Sequence, residues 1–257
     1  MGILKLKYSK QSGEGEGNYC LPLSDFQKFN ASILELGDIS KDGEYFEALA
    51  AVFDLEGFTT FCTQIDPHLV IPEFLTEFLN WLFESISKEF LQKTEEEQIV
   101  LWCQTPFYAK FMGDGVLFLW DTRGVDLEAV GNIVVSLGRI SRDYGRSFLP
   151  RIKKRVARSP QKLRCGIARG QIISIGDGRD FVGPCINVAS RLQKLGQFSF
   201  AFSKRGFNLE RCFSEDFVQQ CVLIKSSIRG IGEEELVYVI KHEFDLLSDE
   251  EKTSLLP

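Results

Sequence analysis

The chain has 257 residues, a net charge of −6, and hydrophobic and charged fractions of 44% and 26%, the balance of a globular protein with one large domain or a domain with extensions. The acidic excess argues against wholesale nucleic-acid binding, which needs a basic balance or a dense basic face. Seven scattered cysteines without a CxxC pair argue against both a disulfide framework and a zinc site, and fit a reducing compartment.

Residues 9–19 (SKQSGEGEGNY) are polar, Gly-rich and aperiodic, which reads as a flexible arm. A short helix is expected over Ser24–Leu36, with Ser24 as its N-cap. Residues 48–61 (ALAAVFDLEGFTTF) read as a buried strand that breaks at Asp54–Gly57 and leads into a helix. Residues 70–93 place Phe74, Leu75, Phe78, Leu79, Leu82, Phe83 and Ile86 at helical spacing, a face turned to the core or to a second copy. A hairpin follows over 107–121, then a long helix from Asp126 to Val156. The basic run 146–164 (RSFLPRIKKRVARSPQKLR) reads as the solvated face and end of that helix, stopped near Pro160. Two short strands are expected to meet near Arg169–Gly170, and Gly183–Leu195 reads as helical with Pro184 in its first turn. Strands near 198–203, 220–226 and 235–241 close the domain. The expected organisation is an N-terminal arm with a short helix (1–46), a main domain (47–242) and an acidic tail (243–257). The class is α+β, with helices over one mostly antiparallel sheet.

No apolar run reaches the roughly 18–20 residues that span a bilayer. The opening MGILKLKYSK has no signal-peptide core, and Leu6 stands where a myristoylation signal needs Ser or Thr. A soluble, cytoplasmic protein without membrane insertion is expected.

Three segments carry candidate chemistry. In KFMGDGVLFLWD (110–121), Asp114 lies between Gly113 and Gly115, with Lys110 four residues earlier. The plain reading is a hairpin, because Asp-Gly is a favoured two-residue turn. In VFDLEGFTTF (52–61), Asp54 ends an apolar strand. It either caps the following helix or leaves the N–H groups of that helix to hold phosphates. Two carboxylates converging from adjacent strand ends can hold two Mg²⁺ ions, with phosphate oxygens as the remaining ligands. In RDFVGPCINVASRL (179–192), Asn187 and Arg191 share a helix face. They form a surface pair or reach one ligand together, the amide fixing a sugar and the guanidinium stabilising charge on a phosphoryl group. His68 and His242 read as structural or incidental.

Together, and in this order, the three segments resemble the class III nucleotidyl cyclase catalytic domain, the family of adenylyl and guanylyl cyclases. VFDLEGFTTF resembles its metal-binding segment, KFMGDGVLF its KxxGD hairpin, and RDFVGPCINVASRL its Asn/Arg segment, over roughly residues 48–241. The resemblance implies a ferredoxin-like domain and a homodimer whose active sites lie at the interface. It implies two metal ions per site, Mg²⁺ or Mn²⁺, held by Asp54 and Asp114. Lys110 and Asp180 match the base-contacting positions, Asn187 the ribose-orienting position and Arg191 the transition-state arginine. Gly57 and Phe58 fall where backbone amides meet the triphosphate. The family's late phosphate-binding Lys has Arg229 as its nearest stand-in here.

A Lys–Asp pair usually goes with adenine in this family, but uracil and cytosine offer similar donor–acceptor pairs. Bulky rings near the pair would favour a pyrimidine, and Tyr108, Phe111 and Phe181 read either as such rings or as core. FCTQIDPHLVIPEFLTEFLNWLFESI, AKFMGDGVLFLWD and VGPCINVASRLQKL also resemble the bacterial Pycsar pyrimidine cyclases. Pro184 stands where adenylyl and guanylyl cyclases usually carry Asp or Asn. This narrower resemblance implies UTP as substrate, with ATP or CTP as alternatives. It also implies cUMP as an anti-phage message to a separate effector protein. The alternatives of other classes are an inactive cyclase-fold regulatory module and a nucleic-acid-binding domain built on the basic run.

Overall fold

The apolar runs of the sequence become the strands of one large sheet. The computed structural model of the chain describes residues 7–11, 18–94, 98–228 and 232–257. In chain order the elements are β1 (Ser9–Gln11), β2 (Asn18–Cys20), α1 (Leu23–Phe26), β3 (Tyr45–Leu55), α2 (Phe58–Phe61) and α3 (Pro67–Phe90). Next come β4 (Leu91–Thr94), β5 (Ile99–Leu101), β6 (Tyr108–Phe111), β7 (Gly115–Asp121), α4 (Leu127–Asp143), α5 (Leu149–Ile152), β8 (Leu163–Ile175) and β9 (Asp180–Val182). The chain ends with α6 (Pro184–Leu192), β10 (Phe200–Ser203), α7 (Leu209–Cys212), α8 (Glu215–Gln219), β11 (Cys221–Ile228), β12 (Gly232–Ile240), α9 (Lys241–Asp245) and α10 (Asp249–Leu255). These elements divide between two units, Met1–Tyr45 with Ile173–Val182, and Phe46–Ile172 with Gly183–Pro257.

In the smaller unit, β1 and β2 pair antiparallel, Ser9 opposite Cys20. The expected flexible arm is therefore strand at both ends, and its centre, 12–17, lies outside the described residues. The helix expected over Ser24–Leu36 is interrupted. Pro22, not Ser24, precedes α1, and Asn30 turns extended and accepts from Ser32 N to start a separate 3-10 turn, Ala31–Leu34. Asn competes for backbone donors in this way, which disfavours it inside helices. β9 pairs with the last residues of β8, Ile173 opposite Val182.

In the larger unit the strands run in the order β11-β12-β10-β8-β3-β7-β6. Antiparallel pairs predominate, and β10 lies parallel to β8. The mixed α+β architecture with a mostly antiparallel sheet is as expected. β3 is buried along nearly its whole length, as an interior strand must be. Helices α3 and α4 lay their apolar stripes on the sheet, and the abundant phenylalanines meet there. Phe61 and Phe74 have ring centroids 4.9 Å apart, and Trp81 and Phe148 5.3 Å. Each fully buried ring contributes on the order of 2–3 kcal/mol.

Several boundaries differ from expectation. α3 begins at Pro67 and stops at Phe90, because Leu91 turns extended to pair with Leu101. The long helix starts at Leu127, capped by Asp126, whose side chain accepts from Ala129 N. It passes through a π turn at Tyr144–Phe148 and ends at Ile152 rather than Val156. The basic run therefore forms no single face. Arg155 bridges Glu73 and Glu77, each at 2.7 Å, and Arg164 lies on a strand. β8 is one continuous strand, not two meeting at Arg169–Gly170, because Arg169 is bonded inside the sheet to Glu47 and Thr122.

The acidic tail is structured. α10 opens with a capping box between Ser248 and Glu251. Glu251 also accepts from Gln197 Nε2 at 2.7 Å, and Glu243 from Ser199 N at 2.8 Å. Both contacts grip the loop between α6 and β10. No helix among the described residues is long and apolar enough to cross a membrane.

Candidate active site

β3 and β7 pair in register, so that Asp54 lies opposite Gly115 and the Leu55 N–H donates to Asp114 O at 3.0 Å. This cross-strand pairing brings together two carboxylates that are 60 positions apart. The turn preceding β7 is centred on Gly113-Asp114, not on Asp114-Gly115. Gly113 has φ 98°, Asp114 is not at positive φ, and Met112 N donates to Gly115 O at 2.9 Å, the pattern of a type II′ hairpin. Gly115 is required for a different reason: a Cβ there would stand 2.1 Å from Phe53 O.

Asp54 does not cap the following helix. α2 is preceded by Gly57 and has no side-chain cap. Asp54 is 5% exposed and pairs with Arg164, whose Nη2 and Nε donate to Oδ2 at 2.6 and 3.2 Å. Burial raises the Asp54 pKa, Arg164 opposes that shift, and the neighbouring charge of Asp114 adds to it. Both bonds fall on Oδ2, so Oδ1 stands outside the pair. Among the described residues no three His, Cys, Asp or Glu side chains cluster as metal ligands. Two adjacent carboxylates suit a hard cation that draws its remaining oxygens from water or phosphate.

A second feature lies beside α6. A cavity of about 520 Å³ is lined by Asn187 and Arg191, as their spacing predicts, and by Arg169, Gln171, Ser203 and Arg205. Among the described residues no carboxylate lines it, and neither Asp54, Asp114 nor Lys110 belongs to its wall. Lys110 is exposed on β6, opposite Leu117. Asp180 lies in the smaller unit on β9, half-buried, its Oδ1 accepting from Phe181 N at 2.9 Å. Arg229 lies outside the described residues. Gly57 is exposed with φ 79°, and Phe58 opens the single turn of α2.

None of Tyr108, Phe111 and Phe181 is buried in the core; Phe111 is 48% exposed. Successive strand residues face opposite ways. Tyr108 therefore shares the face of Lys110, while Phe111 lies opposite it.

Sequence reasoning missed Arg164, Arg169 and Arg205. The alternation around LRCGIA, with Leu163, Cys165 and Ile167 buried, marks a strand and could have moved Arg164 off the helix. No local signal marks Arg205.

No family model matches the chain, and no curated protein matches it in sequence. Solved structures do. The adenylyl cyclase CyaB from P. aeruginosa aligns with a TM-score of 0.58 at 14% identity, over 78% of this chain and 96% of that one. The catalytic core of a rhodopsin-guanylyl cyclase with converted specificity, in complex with ATPαS, gives 0.51 at 15%, over 77% and 98%. A bacterial light-regulated adenylyl cyclase gives 0.51 at 18%, over 80% of this chain but only 54% of that one, so the chain spans about half of that protein. At such identities the likeness is one of architecture, and the chain has the class III cyclase fold.

Proposed function

We propose that the chain is a nucleotidyl cyclase that converts a nucleoside triphosphate to a 3′,5′-cyclic monophosphate and pyrophosphate. The observation that carries this reading is the cross-strand meeting of Asp54 and Asp114 on a cyclase fold whose α6 presents Asn187 and Arg191 to a cavity. Mg²⁺ or Mn²⁺, two per site and held by Asp54 and Asp114, would acidify the 3′-hydroxyl and neutralise charge on the phosphate oxygens. Asn187 orients the ribose. The 3′-oxygen bonds to the α-phosphorus in line, the bond to pyrophosphate breaks, and the hydroxyl proton passes to solvent. Arg191 donates to the α-phosphoryl as charge builds, an interaction worth ~3–4 kcal/mol in comparable sites. The backbone at Gly57 and Phe58, with Arg229, holds the phosphates, and Lys110 and Asp180 contact the base.

In this reading the complete site is assembled between two copies of the chain, which accords with a cavity whose described lining includes neither Asp54 nor Asp114. The substrate in this reading is UTP and the product cUMP, a cytoplasmic message in anti-phage defence read by a separate effector. Tyr108, on the face of Lys110, narrows the base site. The second reading is an adenylyl cyclase, favoured by the Lys110–Asp180 pair.

Purified protein incubated with each of the four NTPs and Mn²⁺ decides between them. cUMP as the main product is expected, and cAMP as the main product overturns the pyrimidine reading. Absence of product from every NTP, with turnover in Asp54→Ala no different, leaves the inactive regulatory module.

A further inference from the structure

Among the described residues the α6 cavity shows three guanidinium groups and no carboxylate, and the three are not equivalent. Arg169 is committed to structure. It donates to Glu47 Oε2 at 2.8 Å, Thr122 Oγ1 at 3.2 Å and Gly206 O at 3.3 Å, and its side chain is only 10% exposed. Arg191 is the arginine assigned to the α-phosphoryl.

Arg205 differs from both. Its side chain is 72% exposed, yet its ion-pair partner Glu235 is 4% exposed. The pair uses Nη2 alone. A guanidinium has five N–H donors in a fixed plane, so one edge is anchored on a buried carboxylate while the other remains open to a ligand. The base of the side chain is fixed as well, because the Arg205 N–H donates to the buried Ser203 Oγ at 3.1 Å. A second cavity of about 350 Å³, lined by Lys204, Arg205, Glu234, Glu235 and Leu236, also borders the side chain. Planar, doubly donating cations match phosphate oxygens, and Arg191 and Arg205 stand on one wall of the cavity.

We propose that Arg205 binds the terminal phosphates of the nucleoside triphosphate and the pyrophosphate left behind, with Glu235 as the positioning residue that holds its plane. This rests on the cyclase reading, in which the same cavity receives the α-phosphoryl. Glu235 removes the rotational freedom that an exposed arginine would otherwise lose on binding, so the cation is held ready before substrate arrives.

The test combines calorimetric titration of the full chain with inorganic tripolyphosphate and steady-state kinetics. Arg205→Gln is expected to weaken tripolyphosphate binding about tenfold, the scale of one lost charge-assisted contact. It should raise KM by a similar factor with little change in kcat. Glu235→Gln should raise KM less, again sparing kcat, and Glu235→Asp should restore part of the loss. Arg205→Gln/Glu235→Gln, which leaves no buried charge unpaired, is titrated in parallel, so that a folding defect in the single variant does not decide the result. Equal tripolyphosphate affinity in wild type and the double variant overturns the proposal. Absence of turnover with every NTP, alongside a preserved difference in tripolyphosphate affinity, overturns the cyclase reading and leaves Arg205 as a polyphosphate ligand.

Discussion

The carboxylate corner and the guanidinium cavity belong to the same unit but are built on opposite plans. At the corner, two short acidic side chains are placed by main-chain pairing between β3 and β7, and the buried one is neutralised by Arg164. In the cavity, long basic side chains come from a helix, a strand and the residues just past another strand, and two of the three are exposed. Cation ligands must be fixed to fractions of an ångström, which a sheet register provides. Phosphate contacts tolerate adjustment, which long side chains on an open wall provide. One copy carries both devices, but its cavity wall contains neither carboxylate.

The strongest way to break that comparison is to separate the two devices onto different chains. Asp54→Ala and Arg191→Ala should each lose activity almost completely. Mixed after co-expression, they should regain about a quarter of wild-type activity, because half the dimers are mixed and each of those has one intact site. A mixture as inactive as its components would mean that the corner and the cavity do not meet across copies.

A smaller effect probes the corner alone. Arg164→Ala leaves Asp54 buried without a cation and should cost about 3 kcal/mol in urea denaturation. The exposed Arg191→Ala should leave stability nearly unchanged. Equal losses would show that the corner is no more dependent on its ion pair than the cavity is.

The smallest effect sharpens the account of the turn. Gly113→Ala meets only backbone strain at φ 98° in open space and should cost about 1 kcal/mol. Gly115→Ala must push β3 away from β7 and should cost more, with activity falling alongside the melting temperature. The reverse order would contradict the placement of the turn.

Much of this was legible in the sequence. Apolar runs placed the central strands, helical spacing placed α3, and the glycine-flanked Asp114 announced a hairpin. The details that escaped depend on the tertiary fold. Asp-Gly is the common turn, and only the close approach of Phe53 O reveals that Gly115 serves packing while Gly113 makes the bend. Arg164 and Asp54 are 110 positions apart and meet only through the strand order. Composition assigned Arg164 to a basic helical face. Arg205 has no local pattern, since its character comes from Glu235, brought near by the pairing of β10 with β12. The helix across 24–36 failed because one asparagine preferred a backbone amide to a helical turn.

The C-terminal segment carries a practical consequence. By composition it is a disposable acidic tail, the first part to be trimmed for expression or left free for a fusion partner. Yet Glu243 and Glu251 brace Ser199 and Gln197, in the loop that fixes the far end of the helix bearing Asn187 and Arg191. A protein shortened to residue 242 would keep every residue assigned to chemistry and lose the buttress that aims two of them.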